Sequence, residues 1–367
     1  MLVANMGKDE LSAIVSYLES DSVSYNSKFM DKNEEYLRRY NLECYGDEEE
    51  GFSQVLATDV PDTINADMVS QVRVFLGSGN VIQFEATTDE PADTEEQKIK
   101  TELINYLLLK RPHAYKIIHD WLKDAEIQTH GVLHYYIETK QVTREKKLKN
   151  LTISELASIN KKTLESDDRI KKIDITEKDP IKGSEERFNF RIKATIEELA
   201  FTVDNIPTED FLITSESSSI DDATMVGHVS YPSRSELVAS GMSEEEVDEF
   251  SAVSSNNGSY SSSSTDSRIN QSQNMKAIRW RDEDGSINDT DAFTDWSNEK
   301  VRRILMFAMV DYDGDGIAER RRIIKIGHKI TENEAYDHVP YAVTSCIVEP
   351  HKAIGDGRAS LVMQDAS

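Results

Sequence analysis

The sequence predicts an α+β fold spread over about two or three domains, the number that 367 residues give at roughly 150 residues per domain. Two further observations carry the class. Apolar residues recur at helical spacing through the first third of the chain. Several later segments alternate apolar and polar side chains with the period of two that a half-buried strand needs.

Hydrophobic residues make up 38% and aromatics 8% of the chain, enough for a core though leaner than an average globular protein. Lys and Arg number 42 against 68 Asp and Glu, a net charge of −26. That balance excludes a chain that wraps nucleic acid by neutralising phosphates over its whole surface. It leaves room for one that lies close to DNA without gripping it. The apolar cluster Leu103–Leu109 contains Asn105 and is too short to span a bilayer. Met1–Glu10 lacks a basic segment followed by an apolar stretch, so no signal peptide is expected. Cys44 and Cys346 have no metal-ligand spacing and read as reduced, part-buried thiols of a cytosolic protein.

The elements follow in order. A polar helix is expected over Asp31–Arg39, closed by the GDEEE run Gly46–Glu50. Pro61, with Thr58 or Asp59 as a cap, opens a second helix whose Ile64, Met68, Val72 and Phe75 fall on one face. Gly77 and Gly79 end it, and Val81–Ala86 reads as a strand. Pro91 and a Thr94/Gln97 capping box open a third helix with Ile99, Leu103 and Leu107 as its core face. Pro112 restarts the chain into a helix carrying Ile118, Trp121 and Leu122. After Gly131 a strand alternates, Leu133, Tyr135 and Ile137 to one side, His134, Tyr136 and Glu138 to the other.

Leu151–Lys161 fits a short helix, and Ile170–Lys178 and Phe188–Val203 fit strands. Asn205–Ile213 reads as an extended segment entering a packed edge. Ser233 with Glu236 and Ser243 with Glu246 are successive capping boxes around Gly241, which predicts two short helices. Ser251–Asn274 is rich in Ser and Asn and predicts a flexible loop or linker, followed by a sparse acidic stretch to Asp291. Val301–Val310 and Ile317–Ile326 predict a hairpin, with further short strands over Thr331–Glu349 and a new helix near the last residues.

The strongest local motif is Asp311-Tyr312-Asp313-Gly314-Asp315-Gly316-Ile317-Ala318-Glu319. Alternate carboxylates on a tight Gly turn converge on a point, as a hard cation needs. Asp311, Asp313, Asp315 and Glu319 are therefore the candidate metal ligands, for a weakly held calcium or magnesium ion. The twelfth place is Arg322, so the bidentate Glu of an EF-hand is missing, and the flanks look like strands. The same residues also suit an acidic hairpin turn in which Asp and Gly supply the backbone angles. Both readings stay open on the sequence.

Other motifs are missing or bland. His113, His119, His130 and His134 lie near one another without an HExxH pair, so structural or surface roles are expected. Gly77-Ser78-Gly79 follows a helix and precedes a strand, the wrong order for a dinucleotide fingerprint. A GxxxxGK[ST] phosphate loop and a GxSxG elbow are both absent from the sequence. No catalytic or cofactor-binding residue is assigned. The basic run Arg144–Lys149 suits a solvated strand end, a partner contact or a nucleic-acid patch. Arg320–Arg322 can pair with the acidic loop or with a neighbouring subunit.

Three segments taken together resemble one family. They are Glu35–Asp67 (EYLRRYNLECYGDEEEGFSQVLATDVPDTINAD), Asn205–Val247 (NIPTEDFLI, SIDDATMVGHV, SELVASGMSEEEV) and Val310–Asp365 (VDYDGDGIAERRRIIKIGHKITENEAYDHVPY, EPHKAIGDGRASLVMQD). In that order they resemble the portal, or head-to-tail connector, of tailed bacteriophages, closest to the short-tailed type. The resemblance implies a non-enzymatic structural protein of the virion, assembled in the host cytoplasm as a homo-oligomeric ring, commonly of twelve copies. It implies contacts with terminase, capsid and scaffolding proteins and a tail adaptor. Double-stranded DNA passes through the ring without sequence specificity during packaging and ejection, and no membrane is involved.

Mapped onto this chain, the resemblance implies an N-terminal segment 1–30, an α/β wing-like domain 31–203 and an extended segment with short helices leading to a stem, 204–250. A Ser/Asn-rich and acidic loop 251–300, a β-hairpin clip-like region 301–349 and the start of a helix at 350–367 complete it. Portals of this type are longer, so the sequence is expected to be truncated before the helix that runs back through the stem. The alternative, from another functional class, is a calcium-dependent interaction module built on the Asp311–Glu319 loop.

Overall fold

The computed structural model describes residues 6–43, 57–77, 80–86, 91–109, 113–166, 169–180, 188–255, 275, 278–279 and 296–365. Expectations placed on Gly46–Glu50, Gly79, Pro112, Cys44 and most of 256–295 lie outside the described residues. The chain is mixed α and β and forms two compact units, one of Met1–His134 with Asp204–Ser367 and one of Tyr135–Val203. The boundary between the two units falls at 134/135, and residues 30 and 31 lie inside one helix.

The first unit opens with α1 (Lys8–Tyr40), 33 residues and about 50 Å long at 1.5 Å per residue. Sequence reading starts this helix at Asp31. Its buried line runs Leu11, Val15, Leu18, Ser22, Asn26, Met30, Asn33 and Leu37, so three polar residues break the apolar period. Each has a partner. Ser22 Oγ donates to the Leu18 carbonyl at 2.8 Å, Asn26 Nδ2 to the Phe211 carbonyl at 2.9 Å, and Asn33 Oδ1 accepts the Thr129 N–H at 2.9 Å. These bonds replace part of the hydrogen bonding that burial takes from water.

α2 (Asp59–Gly77) buries Val60, Ile64 and Met68. Pro61 is its third residue, still within the first turn, where a missing N–H costs nothing. α3 (Pro91–Leu109) and α4 (Ala114–Ile127) follow. Residues Val81–Ala86, expected as a strand, pair with a helix. Asn105 on α3 accepts the N–H groups of Val81 and Ile82 and donates to the Ile82 carbonyl, and Thr101 accepts the Phe84 N–H. Their backbone hydrogen bonds are met by helix side chains, so no second strand is needed.

A five-stranded antiparallel sheet forms the centre of this unit, in the order β4 (Phe211–Ile213), β5 (Met225–Ser230), β6 (Arg303–Val310), β7 (Glu319–Ile326), β8 (Lys329–Ala335). The expected hairpin is β6–β7, in register from Arg303↔Ile326 to Val310↔Glu319. It is the middle of the sheet. Ile304, Met306, Ala308 and Val310 pack under Leu11, Val15 and Leu18 of α1, while Phe307 enters a second core with Phe211, Val226 and Tyr341. Both faces are covered, which accounts for the nearly unbroken apolar run of β6. β8 closes one edge and exposes Lys329, Glu332 and Glu334.

Two short helices leave the sheet. α6 (Arg234–Ala239) carries a complete Ser233/Glu236 capping box. α7 (Glu244–Ser255) has the same reciprocal bonds between Ser243 and Glu246. Gly241, at φ 104°, makes the turn between them. β9 (Tyr341–Thr344) pairs with Gly131–His134, and α8 (Ala359–Asp365) joins the core of α1, α2 and α4.

In the second unit, β1 (Gly131–Leu151), which begins in the first unit, lies beside β3 (Phe188–Ile206), and β2 (Ile170–Pro180) pairs antiparallel to β3. Between β1 and β2, α5 (Ile153–Ser166) begins with a Thr152/Glu155 box. Among the described residues, its Leu156 joins Phe190 and Ile192 in a small buried core. The basic run Arg144–Lys149 lies on β1 and is largely exposed, with Glu198 pairing Arg144 and Lys193 pairing Glu145 at 3.0 Å. It is a solvated strand carrying cross-strand ion pairs.

Candidate functional site

The β6–β7 connection places the acidic residues of the motif on an exposed turn. One carboxylate oxygen from each of Asp311, Asp313 and Asp315 lies within 4.8 Å of the others. Glu319 stands apart from this group, as the first residue of β7, 2.8 Å from Arg321. The Asp311 carboxylate accepts the N–H groups of Gly314 (2.7 Å), Asp315 (3.1 Å) and Gly316 (3.0 Å), and Asp315 accepts that of Ile317 (2.7 Å). Gly314 and Gly316 sit at φ 73° and 87°, backbone that glycine supplies without strain. The carboxylates therefore already organise the turn, and their convergence is what a hard cation would also use. Two of the neighbouring arginines point elsewhere. Arg322 pairs with Glu332 (2.9 Å) and Glu334 (3.2 Å), and Arg320 donates to the Asp221 carbonyl (2.8 Å).

The buried histidines are structural. His228 Nδ1 lies 2.6 Å from the Tyr341 hydroxyl, and His134 stacks on the Tyr341 ring at 4.8 Å. Burial holds His130 and His228 down to about 3 and His134 to about 4; nearby Arg303 adds to the effect at His134 and His228. On β1 the face of Val132 and His134 is the buried one, whereas Ile137 is exposed. Cys346 is half-buried and unbridged, with its thiol pushed up to about 11 by burial and by Glu126.

Two features escape the sequence reading. α3 was expected to turn Ile99, Leu103 and Leu107 inward, yet Ile99 and Leu103 are 64% and 53% exposed because Asn105 is the side chain turned in. Tyr106 on α3 and Val69 and Val74 on α2 are also largely exposed. The second departure lies just after the expected linker Ser251–Asn274, in the stretch read as sparse and acidic. Met275 is fully buried and Ile278 nearly so, in the core of α1, α2 and α4. Arg279 reaches Asp124 at 3.2 Å and Glu209 at 3.0 Å. The one available signal was the spacing of Met275, Ile278 and Arg279 within a Ser/Asn-rich background.

Among the described residues, no helix is long and apolar enough to cross a membrane. Comparison with curated proteins finds no match. A family model described as "Phage SU10 portal protein" matches residues 11–366. That span takes in α1, the central sheet, the second unit and α8, both compact units rather than a single motif. The chain belongs to the phage SU10 portal protein family, and portals are structural components of the phage particle.

Proposed function

We propose that copies of this chain close into a ring, commonly twelve, at one capsid vertex, and that double-stranded DNA is packaged and ejected through the ring. The observation that carries the reading is the family match over residues 11–366. The exposed apolar residues of α2 and α3 support it, since a ring protomer needs faces that its neighbours cover. The net charge of −26 supports a passage that does not hold its cargo, because successive cationic contacts to phosphates would create wells along the track. In this reading no side chain performs covalent chemistry. Assembly in the host cytoplasm and contacts with terminase, capsid and scaffolding proteins and a tail adaptor belong to the same proposal.

Residues 31–203 correspond to the wing, 204–250 to the approach to the stem and 301–349 to the clip-like region. The exposed stretch 313–318 of the turn is one part of that last region open to a docking partner. We assign the turn a conformational role, its carboxylates holding backbone N–H groups. The experiment is native mass spectrometry with negative-stain imaging of the purified chain. Closed rings are the expected result, and a monomer persisting at micromolar concentration counts against the proposal.

A further inference from the structure

We propose that the acidic β6–β7 turn of one copy seats in a cleft at the far end of the central sheet of the next copy, Ile317 entering its apolar floor and Asp313 and Asp315 meeting its cations. The inference rests on the ring proposal and adds a contact that joins neighbours. The cleft, about 540 Å³, lies between the α6–α7 pair and strands β7 and β8, inside the range of roughly 300–1,000 Å³ usual for ligand sites. Leu237, Met242, Phe250 and Ile324 give it an apolar floor, continuous with the core that α6 and α7 share with the sheet. Among the described residues that line it, three are cations, Arg303, Arg322 and Lys329, and two are carboxylates, Glu246 and Glu332. Glu246 is held by the N–H and hydroxyl of Ser243. Arg322 meets Glu332 and Glu334 through Nη1 alone, and Lys329 pairs with Glu249 where both side chains are more than half exposed. Ion pairs open to solvent in this way are worth little, so an incoming carboxylate competes for these cations at small cost.

The turn carries the complement. Ile317 is a large apolar side chain left 72% exposed in an acidic loop, and Asp313 and Asp315 are exposed with it. Asp313 accepts the N–H of Asp315 at 3.3 Å and Asp315 that of Ile317 at 2.7 Å. The loop is therefore ordered before it docks and loses little freedom in docking. The two surfaces lie at different ends of one sheet. β6, about 25 Å long at ~3.3 Å per residue, separates the turn after Val310 from Arg303 in the cleft. Paired strands hold them apart, so the turn has no access to the cleft of its own chain. Such a contact runs head to tail, the kind that generates a ring when the rotation between copies closes.

Sedimentation velocity of the full chain tests this with two charge-reversed variants. Asp313→Lys with Asp315→Lys alters the turn, and Arg322→Glu with Lys329→Glu alters the cleft. Each variant alone is expected to associate at least about ten-fold more weakly than the parent, since like charges then face each other. An equimolar mixture of the two is expected to regain association, because every turn meets a cleft of opposite sign when the copies alternate. Ile317→Ser is expected to weaken association about 10–100-fold and to leave the unfolding midpoint of a single copy unchanged. If a charge variant fails to fold, Ile317→Ser decides alone. Where the parent forms rings, parent-like association of Ile317→Ser, or folded charge variants that do not recover on mixing, overturns the inference and not the ring. A parent that stays monomeric overturns both.

Discussion

Glu19 on α1 and Lys325 on β7 form an ion pair of 2.7 Å in which both side chains are nearly closed to solvent. Arg302 reaches the other Glu19 oxygen at 2.8 Å. Burial alone would raise the Glu19 carboxyl, yet Arg302 and Lys325 together hold it below its ordinary value. The helix is thus fastened to the sheet by charge as well as by Leu11, Val15 and Leu18. Lys325→Met is expected to cost about 1.5–3 kcal/mol, because it leaves a buried carboxylate with one cation. Glu19→Gln combined with Lys325→Met should recover part of that loss. Urea denaturation of the two variants checks it; equal losses would show that the pair does not couple.

The buried histidines set an acid limit. Their values in the fold, about 3 for His130 and His228 and about 4 for His134, lie below the ordinary 6.5. The unfolded chain therefore binds their protons first. The stability they contribute is fully present above pH 6.5 and falls as the pH drops from 6.5 toward 4, at up to about 1.4 kcal/mol per pH unit for each group. His228→Gln, which can keep a hydrogen bond to Tyr341, is expected to remove one group from that slope. Denaturant midpoints at pH 7, 6 and 5 measure it. Parallel lines for the variant and the parent chain would refute the assignment.

The acidic turn yields a prediction about calcium. If Asp311 serves the backbone, Asp311→Ala unties three N–H groups and costs about 1–2 kcal/mol by loss of hydrogen bonds. The loss should be the same in chelator and in millimolar calcium. A melting temperature that rises with calcium in the parent chain, and no longer does so in Asp313→Ala, would favour the calcium-module reading instead.

Leu103 and Val74 offer a test of assembly. Both are more than half exposed, so Leu103→Asp and Val74→Asp should leave the thermal unfolding of a single copy within about 0.5 kcal/mol of the parent. Sedimentation velocity is expected to show ring formation lost or strongly weakened. Rings that form as before would place the copy-to-copy contact on another face.

Much of the fold was legible where local chemistry decides the structure. Ser233/Glu236 and Ser243/Glu246 could be read as helix starts because the bonds concerned span only three residues. The β6–β7 hairpin followed from two apolar runs around a Gly-rich turn. Asp311, Asp313 and Asp315 come together as their spacing predicts, and Glu319 does not, because it has already entered β7 and faces Arg321. The rest depends on partners distant in sequence. Nothing near Asn33 announces that it will meet Thr129, so α1 looked too polar to be buried along its length. Asn105 reads as a blemish on an apolar helix until Val81 and Ile82 are seen to need it. Arg279 lies in a stretch read as sparse and acidic, and only Asp124 and Glu209 give it a place.

The exposed edge of the central sheet has a consequence for a protein that must gather in many copies. β8 ends the sheet with Lys329, Glu332 and Glu334 turned outward. A margin charged in this way resists accepting a foreign strand, the route by which crowded β-proteins stack into fibres. Copies brought together at high local density are steered away from endless sheet extension, and a finite, countable association through side-chain faces remains open to them.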